Sequence, residues 1–224
     1  MILQVDEIEH FKPKALQWAS SSDVFCYLDS NNFRDQYSKF DVLLAIGAKD
    51  EVIVKANSSF DNLEQFRAKH PGWITGFFTY DLKNEIEDLV SENPDHLLFP
   101  DLYFFAPQHL VLIRNETIEI ISDNPEQVID DINAQSIQEK STNYPVQLSS
   151  RFSKEEYISA VIKIREHISR GDIYVTNFCQ EFFAENASID PLSTFLKLNM
   201  ISPNPFAGFF KIHDKYILSA SPER

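Results

Sequence analysis

Residues 206–224 read FAGFFKIHDKYILSASPER, and the way this run divides decides what kind of sheet the chain builds. Phe206, Phe209, Phe210 and Ile212 lie on one side of a polar pair, His213–Asp214, and Tyr216, Ile217 and Leu218 on the other. Two polar residues between apolar runs predict a β-hairpin that turns at His213–Asp214. The second strand then runs directly into Ser221, Pro222, Glu223 and Arg224.

Upstream, SPNPF (202–206) reads as a turn. DPLSTFLKLNMIS (190–202) reads as a helix with Asp190 at the N-cap and Pro191 at the first helical position. DIYVTNFCQEFF (172–183) predicts a long strand. Before it, Ser153 and Glu156 form an S-x-x-E capping box. Tyr157, Val161, Ile164 and Ile168 recur at helical spacing, and Gly171 follows where a C-terminal glycine cap belongs.

The first half alternates in type. DVLLAIGA (41–48) and EVIVKA (51–56) predict two neighbouring strands, and SSFDNLEQFRAKH (58–70) a short helix. GWITGFFTYDL (72–82) is β-rich, and its Gly72 and Gly76 suit a strand approached closely by another backbone. KNEIEDLV (83–90) reads as a brief helix whose Glu85, Glu87 and Asp88 make a solvated face. Strands with a turn at Arg114–Asn115–Glu116 fill 101–123, and NPEQVIDDIN (124–133) is another helix. The fold class is therefore α/β of the α+β kind, with mixed but largely antiparallel sheets and flanking helices. Residues 134–150 are polar and aperiodic, which predicts one region over 1–133, a linker over 134–150 and a second region over 151–224.

Composition narrows the function. A chain of 224 residues, 43% hydrophobic, has room for a substantial core. Its formal net charge of −14 works against nucleic acid or an anionic membrane as a partner, because phosphate neutralisation needs clustered Lys and Arg. No apolar run approaches membrane-spanning length, and residues 1–10 lack the pattern of a secretory signal. Cys26 and Cys179 sit far apart beside apolar residues, which predicts two buried, reduced thiols and a cytoplasmic protein. No phosphate-binding glycine loop is present, and the histidines show no metal-ligand spacing. Asn177 and Gln180, amides within an apolar run, predict a polar network or a ligand contact.

Five blocks, in order, resemble the chorismate-utilising enzymes, namely the large subunits of aminodeoxychorismate synthase and anthranilate synthase and their isochorismate relatives. The blocks are YLDSNNFRDQYSKFDVLLA (27–45), GWITGFFTYDL (72–82), GDIYVTNFCQEF (171–182), SPNPFAGFF (202–210) and ILSASPER (217–224). Val175 and Glu181 stand where the family strand often carries Gln and Arg. The resemblance implies an anthranilate synthase component I-like fold, with 151–224 the first part of the chorismate-binding domain. The first block lies nearest the aminodeoxychorismate branch, which is the expected member; the alternatives are anthranilate synthase component I and a stand-alone amino-acid-binding module.

The resemblance also implies roles. Glu223 matches the S-P-E glutamate, a general acid/base near the C4 hydroxyl of chorismate. Leu28, Ser30, Tyr37, Phe40, Asn204, Pro205 and Phe206 match the family's tryptophan pocket. Physically, such a pocket needs an apolar slot for an indole and a few polar groups for the amino-acid moiety. The family further implies Mg²⁺ and a glutamine amidotransferase subunit that supplies ammonia. The family's P-I-[KA]-G-T block and its Mg²⁺ carboxylates follow S-P-E and are absent here, so this chain is expected to be an N-terminal portion, inactive alone.

Overall fold

The computed structural model describes residues 1–5, 7–34, 36–55, 57–90, 93–137 and 146–222. The chain divides into two compact units, one of residues 1–140 with 191–224 and one of residues 141–190.

In the first unit the elements run β1 (Ile2–Gln4), α1 (Ile8–Ala19), β2 (Val24–Asp29), β3 (Val42–Val54), α2 (Ser59–Lys69) and β4 (Thr75–Phe78). A 3-10 helix (Tyr80–Glu85), β5 (Leu102–Arg114), β6 (Thr117–Ile121) and α3 (Pro125–Asn133) follow. In the second unit lie β7 (Ser149–Ser150), α4 (Lys154–Arg170) and β8 (Phe182–Phe183). The chain then rejoins the first unit with α5 (Pro191–Ile201), β9 (Phe206–Ile212) and β10 (Lys215–Ser221).

Among the described residues, eight strands form one antiparallel sheet in the order β1-β6-β5-β3-β2-β9-β10, with β4 also paired to β5. The hairpin expected at His213–Asp214 is present: Lys215 pairs with Ile212, and His213 takes the left-handed φ of 52° that the turn needs. β9 continues onto β2, from Val24 opposite Ile212 to Asp29 opposite Ala207. That pairing, with Phe195 of α5 fully buried, is why 191–224 pack with the first unit and why the division differs from the expected linker-bounded halves.

Residue alternation along the strands separates two cores. Phe25, Tyr27, Leu44, Ile46, Val111, Ile113, Ala207 and Phe209 face one side, where Phe11 and Leu16 of α1, Val128 and Ile132 of α3 and Phe195 of α5 cover them. Val24, Cys26, Leu43, Ala45, Phe210 and Ile212 face the other side and join Tyr103 and Phe105 there. The rings of Phe77 and Phe210 meet edge-on at 5.9 Å, so β4 and the start of β5 fold over β2 and β9 without pairing to them.

Several expectations are corrected. Residues 42–54 form one strand and not two. The AKD between the apolar runs is a β-bulge at Ala48/Asp50, and β5, equally long, pairs on both sides of it. Glu85 is no part of a solvated face: its carboxylate accepts from the Ser59 N–H at 2.9 Å and from the Ser59 hydroxyl, capping α2. Of the long strand expected over 172–183, only Phe182–Phe183 pairs in a ladder among the described residues, with Ser149–Ser150 of β7. Cys26 is buried as expected, and burial pushes its thiol up to about 12. Cys179 is exposed, since the strand that would have hidden it is missing. Asn177 is exposed as well. α1 has no counterpart in the sequence reading, which Pro13 inside the helix disguised.

The second unit carries the expected helix. Glu156 N–H donates to Ser153 Oγ at 3.2 Å, and Ser153 N–H donates to Glu156 Oε2 at 2.8 Å. Gly171, at φ 83°, closes the C-terminus. Phe178 lies between Phe152 and Tyr157, with ring centroids at 5.7 and 5.2 Å. Gln180 Nε2 donates to Ser150 Oγ and to the Phe152 carbonyl, while its Oε1 is buried with no partner among the described residues.

Candidate ligand slot beside the chain-terminal hairpin

Alternation along β2 and β9 decides which of the expected site residues can meet. Val24 and Cys26 face the second core, so Leu28 and the following Ser30 continue that face. Phe210 and Ile212 face it too, so Gly208 and Phe206 share it. Leu28 stands opposite Gly208, which in turn stands opposite Ser219 of β10. Leu28 and Phe206 are 39% and 37% exposed, large apolar side chains open to solvent. A Cβ added at Gly208 would meet Leu28 Cδ2 at 3.4 Å, an ordinary contact distance, so glycine leaves the floor beside Leu28 without a side chain of its own.

The backbone turns directly after Leu28. Asn31 and Asn32 take φ of 49° and 64°, a left-handed pair that asparagine tolerates better than most residues. Ser30 N–H donates to the Asp41 carbonyl at 2.9 Å, holding the turn against the start of β3. The Ser30 hydroxyl is buried and has no hydrogen-bond partner among the described residues. A hydroxyl in that state carries a desolvation cost, and a ligand acceptor or donor would relieve it.

The other expected residues fall as follows. Asn204 and Pro205 form the turn into β9, and Asn204 Nδ2 donates to Ser202 Oγ at 2.6 Å and to the Ala220 carbonyl at 3.4 Å. Phe40 packs on the second core, its ring 6.3 Å from that of Trp73. Tyr37 is 68% exposed, out in solvent. Glu223 lies outside the described residues. β10 ends at Ser221, two residues before it.

Behind the slot, on the first-core face, lies a polar network that sequence reading missed. Asp29 is buried; its Oδ2 accepts from the Tyr27 hydroxyl at 2.7 Å and its Oδ1 from Asn31 N–H at 2.8 Å. Lys12 of α1, also buried, places Nζ 3.6 Å from Asp29 Oδ1. Burial first, and the neighbouring Asp29 charge second, push the Tyr27 phenol well above its ordinary value, so it stays a donor. Lys12 gave no sequence signal, but the pair Asn31–Asn32 is the kind of dipeptide that marks positive φ. Among the described residues no group of three or more His, Cys, Asp or Glu side chains gathers to hold a metal ion. No helix there is long and apolar enough to cross a membrane.

The sheet thus defines an α+β protein built on an antiparallel sheet, with the exposed side chains of Leu28 and Phe206 near one end of two neighbouring strands. The family model described as chorismate binding enzyme matches residues 23–224, and the chain belongs to that family. It is 27% identical over 163 residues to aminodeoxychorismate synthase component 1 of Escherichia coli, covering 68% of this chain and 34% of that protein. It is 26% identical over 173 residues to an anthranilate synthase component I-like protein of Synechocystis, covering 73% and 35%. The crystal structure of anthranilate synthase component I from Streptococcus pneumoniae superimposes with a TM-score of 0.67 at 20% identity, covering 85% of this chain and 52% of that one. The chain spans about a third of the length of these curated relatives. Their two names at nearly equal identity fix the family and leave the member open.

Proposed function

We propose that this chain is the N-terminal part of an aminodeoxychorismate synthase component I. The complete enzyme would replace the C4 hydroxyl of chorismate with ammonia, giving 4-amino-4-deoxychorismate and water for folate (para-aminobenzoate) synthesis. A glutamine amidotransferase subunit would supply the ammonia, in the cytoplasm. The free thiols of Cys26 and Cys179 suit a reducing compartment. Glu223 is the residue we assign to protonate the departing hydroxyl. Expulsion of hydroxide is slow unless the oxygen is protonated as it leaves, and a carboxyl can do this only where its surroundings raise its pKa toward neutrality. Magnesium would neutralise the substrate carboxylate; none of the described residues is assigned to it.

The slot is assigned to tryptophan or a similar amino acid. The observation that carries this assignment is the buried Ser30 hydroxyl, without a hydrogen-bond partner among the described residues, near the strand ends that carry the exposed Leu28 and Phe206. An indole would lie on the apolar pair above Gly208, and Ser30 would meet the amino-acid moiety. The anthranilate branch is the second reading, supported by the names of the Synechocystis relative and the Streptococcus structure.

A thermal titration tests the slot, since a ligand that binds only the folded state raises the melting temperature. Millimolar L-tryptophan is expected to raise the Tm of this chain, and Gly208→Trp, which fills the floor, to abolish the rise. An unchanged Tm in the wild type removes the assignment. For the reaction, the chain is mixed with chorismate, Mg²⁺ and ammonium, and no product is expected from this portion alone. Formation of aminodeoxychorismate or anthranilate would show that the reaction needs no residue outside this chain.

A further inference from the structure

The amide of Asn31 fastens three separate segments. Its Nδ2 donates to Asn199 Oδ1 at 2.8 Å and to the Asn204 carbonyl at 2.7 Å. Its Oδ1 accepts from Asn199 Nδ2 at 2.9 Å, so the two side-chain amides are paired reciprocally. All the hydrogen-bonding groups of this amide except one oxygen lone pair are used, a level of satisfaction that makes a geometry specific. The turn at the end of β2 is thereby tied to the C-terminal end of α5 and to the backbone that leads into β9. Asp29 sets Asn31 itself, by accepting its N–H in a side-chain-to-backbone turn that stabilises the left-handed φ.

These ties flank the slot residues along the chain. Ser30 immediately precedes Asn31, and Phe206 follows Asn204 by two residues. The distance between the hydroxyl wall and the aromatic wall therefore depends on the Asn31–Asn204 bond as well as on the β2–β9 ladder, which ends at Asp29 and Ala207. Among the described residues no ladder pair joins β2 to β9 beyond that point; Ser30 is bonded to the Asp41 carbonyl and Phe206 pairs with Ser221 of β10 instead.

We propose that Asn31 is a positioning residue that sets the width of the ligand slot by latching the 202–206 turn to the end of β2. The proposal rests on the reading of the slot as a ligand site, but the latch itself has an independent readout. Asn31→Gly isolates it, because glycine keeps the left-handed backbone without strain and removes only the amide. In the full 224-residue chain, amide exchange of Asn204, Phe206 and Gly208 is expected to speed up at least roughly tenfold in Asn31→Gly, while that of Leu43–Ile46 in the central sheet stays unchanged. The dissociation constant for L-tryptophan is expected to rise roughly tenfold, which one lost hydrogen bond to a positioned wall would give. Asn31→Asp, which also tolerates the left-handed backbone but has no side-chain N–H, is expected to act in the same direction and serves if the glycine variant does not fold.

Unchanged exchange at Asn204, Phe206 and Gly208 would overturn the latch. So would an equal acceleration at Leu43–Ile46, since that is general loss of stability. If wild-type chain fails to bind tryptophan while the exchange pattern holds, the slot reading falls and the latch stands. If wild type binds and both variants bind equally well, Asn31 does not set the slot.

Discussion

At the scale of single residues, Gly76 carries a constraint that no other glycine of the chain shares. A Cβ there would lie 2.0 Å from the Tyr103 carbonyl oxygen and 2.6 Å from Phe104 Cα, both backbone atoms of the paired strand β5. Rotamer changes cannot relieve a clash with backbone. Gly76→Ala is therefore expected to lower the unfolding free energy by about 3 kcal/mol, the upper end for overpacking, measured as a fall in the urea midpoint. Gly72 meets nothing within 4 Å, so Gly72→Ala should stay within ~0.5 kcal/mol of wild type. Equal midpoints for the two variants would refute the close approach of β4 to β5. Both glycines suggested a crowded strand from sequence, and only packing distinguishes them. Cysteine placement follows the same logic: Cys26 is hidden because β2 is a central strand, while Cys179 lost its shelter with the strand that did not form.

At the scale of elements, features that depend on neighbouring residues were legible and those that depend on distant partners were not. The α4 cap and the His213 turn are written within four or five residues, and both are present. The bulged continuity of β3 depends on β5, some sixty residues away, which is why it read as two strands. The residues proposed for the slot could be named through family resemblance. The Lys12–Asp29–Asn31 network behind them could not, since it joins a helix, a strand end and a turn through polar contacts between residues far apart in sequence. The α4 cap also has a pH signature. The Ser153 N–H, and then its side chain, hold the Glu156 carboxyl below its ordinary value. A carboxyl lowered in the folded state adds stability above its unfolded pKa and loses it as pH falls through the folded value. Carbon-detected titration of the Glu156 side chain should therefore give a midpoint below that of a glutamate in a short peptide. Ser153→Ala should weaken the helix start by about 1 kcal/mol, seen as faster amide exchange in its first turn. A Glu156 midpoint at the peptide value would mean that the capping box is open in solution.

At the scale of the whole molecule, the two units differ in what holds them together. The first has a central sheet with a core on each face, and strands β2, β3 and β5 contribute residues with no exposed surface, among them Phe25, Ala45 and Val111. The first unit ends within the polar stretch that begins at 134, but Asp190–Pro191 marks only a helix start and says nothing of which unit that helix joins. The return is set by β9 pairing with β2 and by Phe195 entering the first core. Among the described residues of the second unit none is buried. None of the 17 residues of α4 is buried, although Tyr157, Val161, Ile164 and Ile168 give the helix an apolar stripe. With no residue buried and Phe178 against Tyr157 as its aromatic contact within the unit, α4 depends mainly on its caps and on intrinsic propensity, which make isolated helices only marginally stable. Its amides between Tyr157 and Ile168 should thus open locally and exchange many orders of magnitude faster than those of Phe25–Tyr27, Leu43–Ile46 and Leu110–Ile113, which open only with the sheet. Urea should melt the 222 nm helix signal of α4 before the sheet unfolds, giving two transitions in place of one. Protection of the Tyr157–Ile168 amides equal to that of the central strands would mean that the stripe is covered in solution, and that the two units unfold as one.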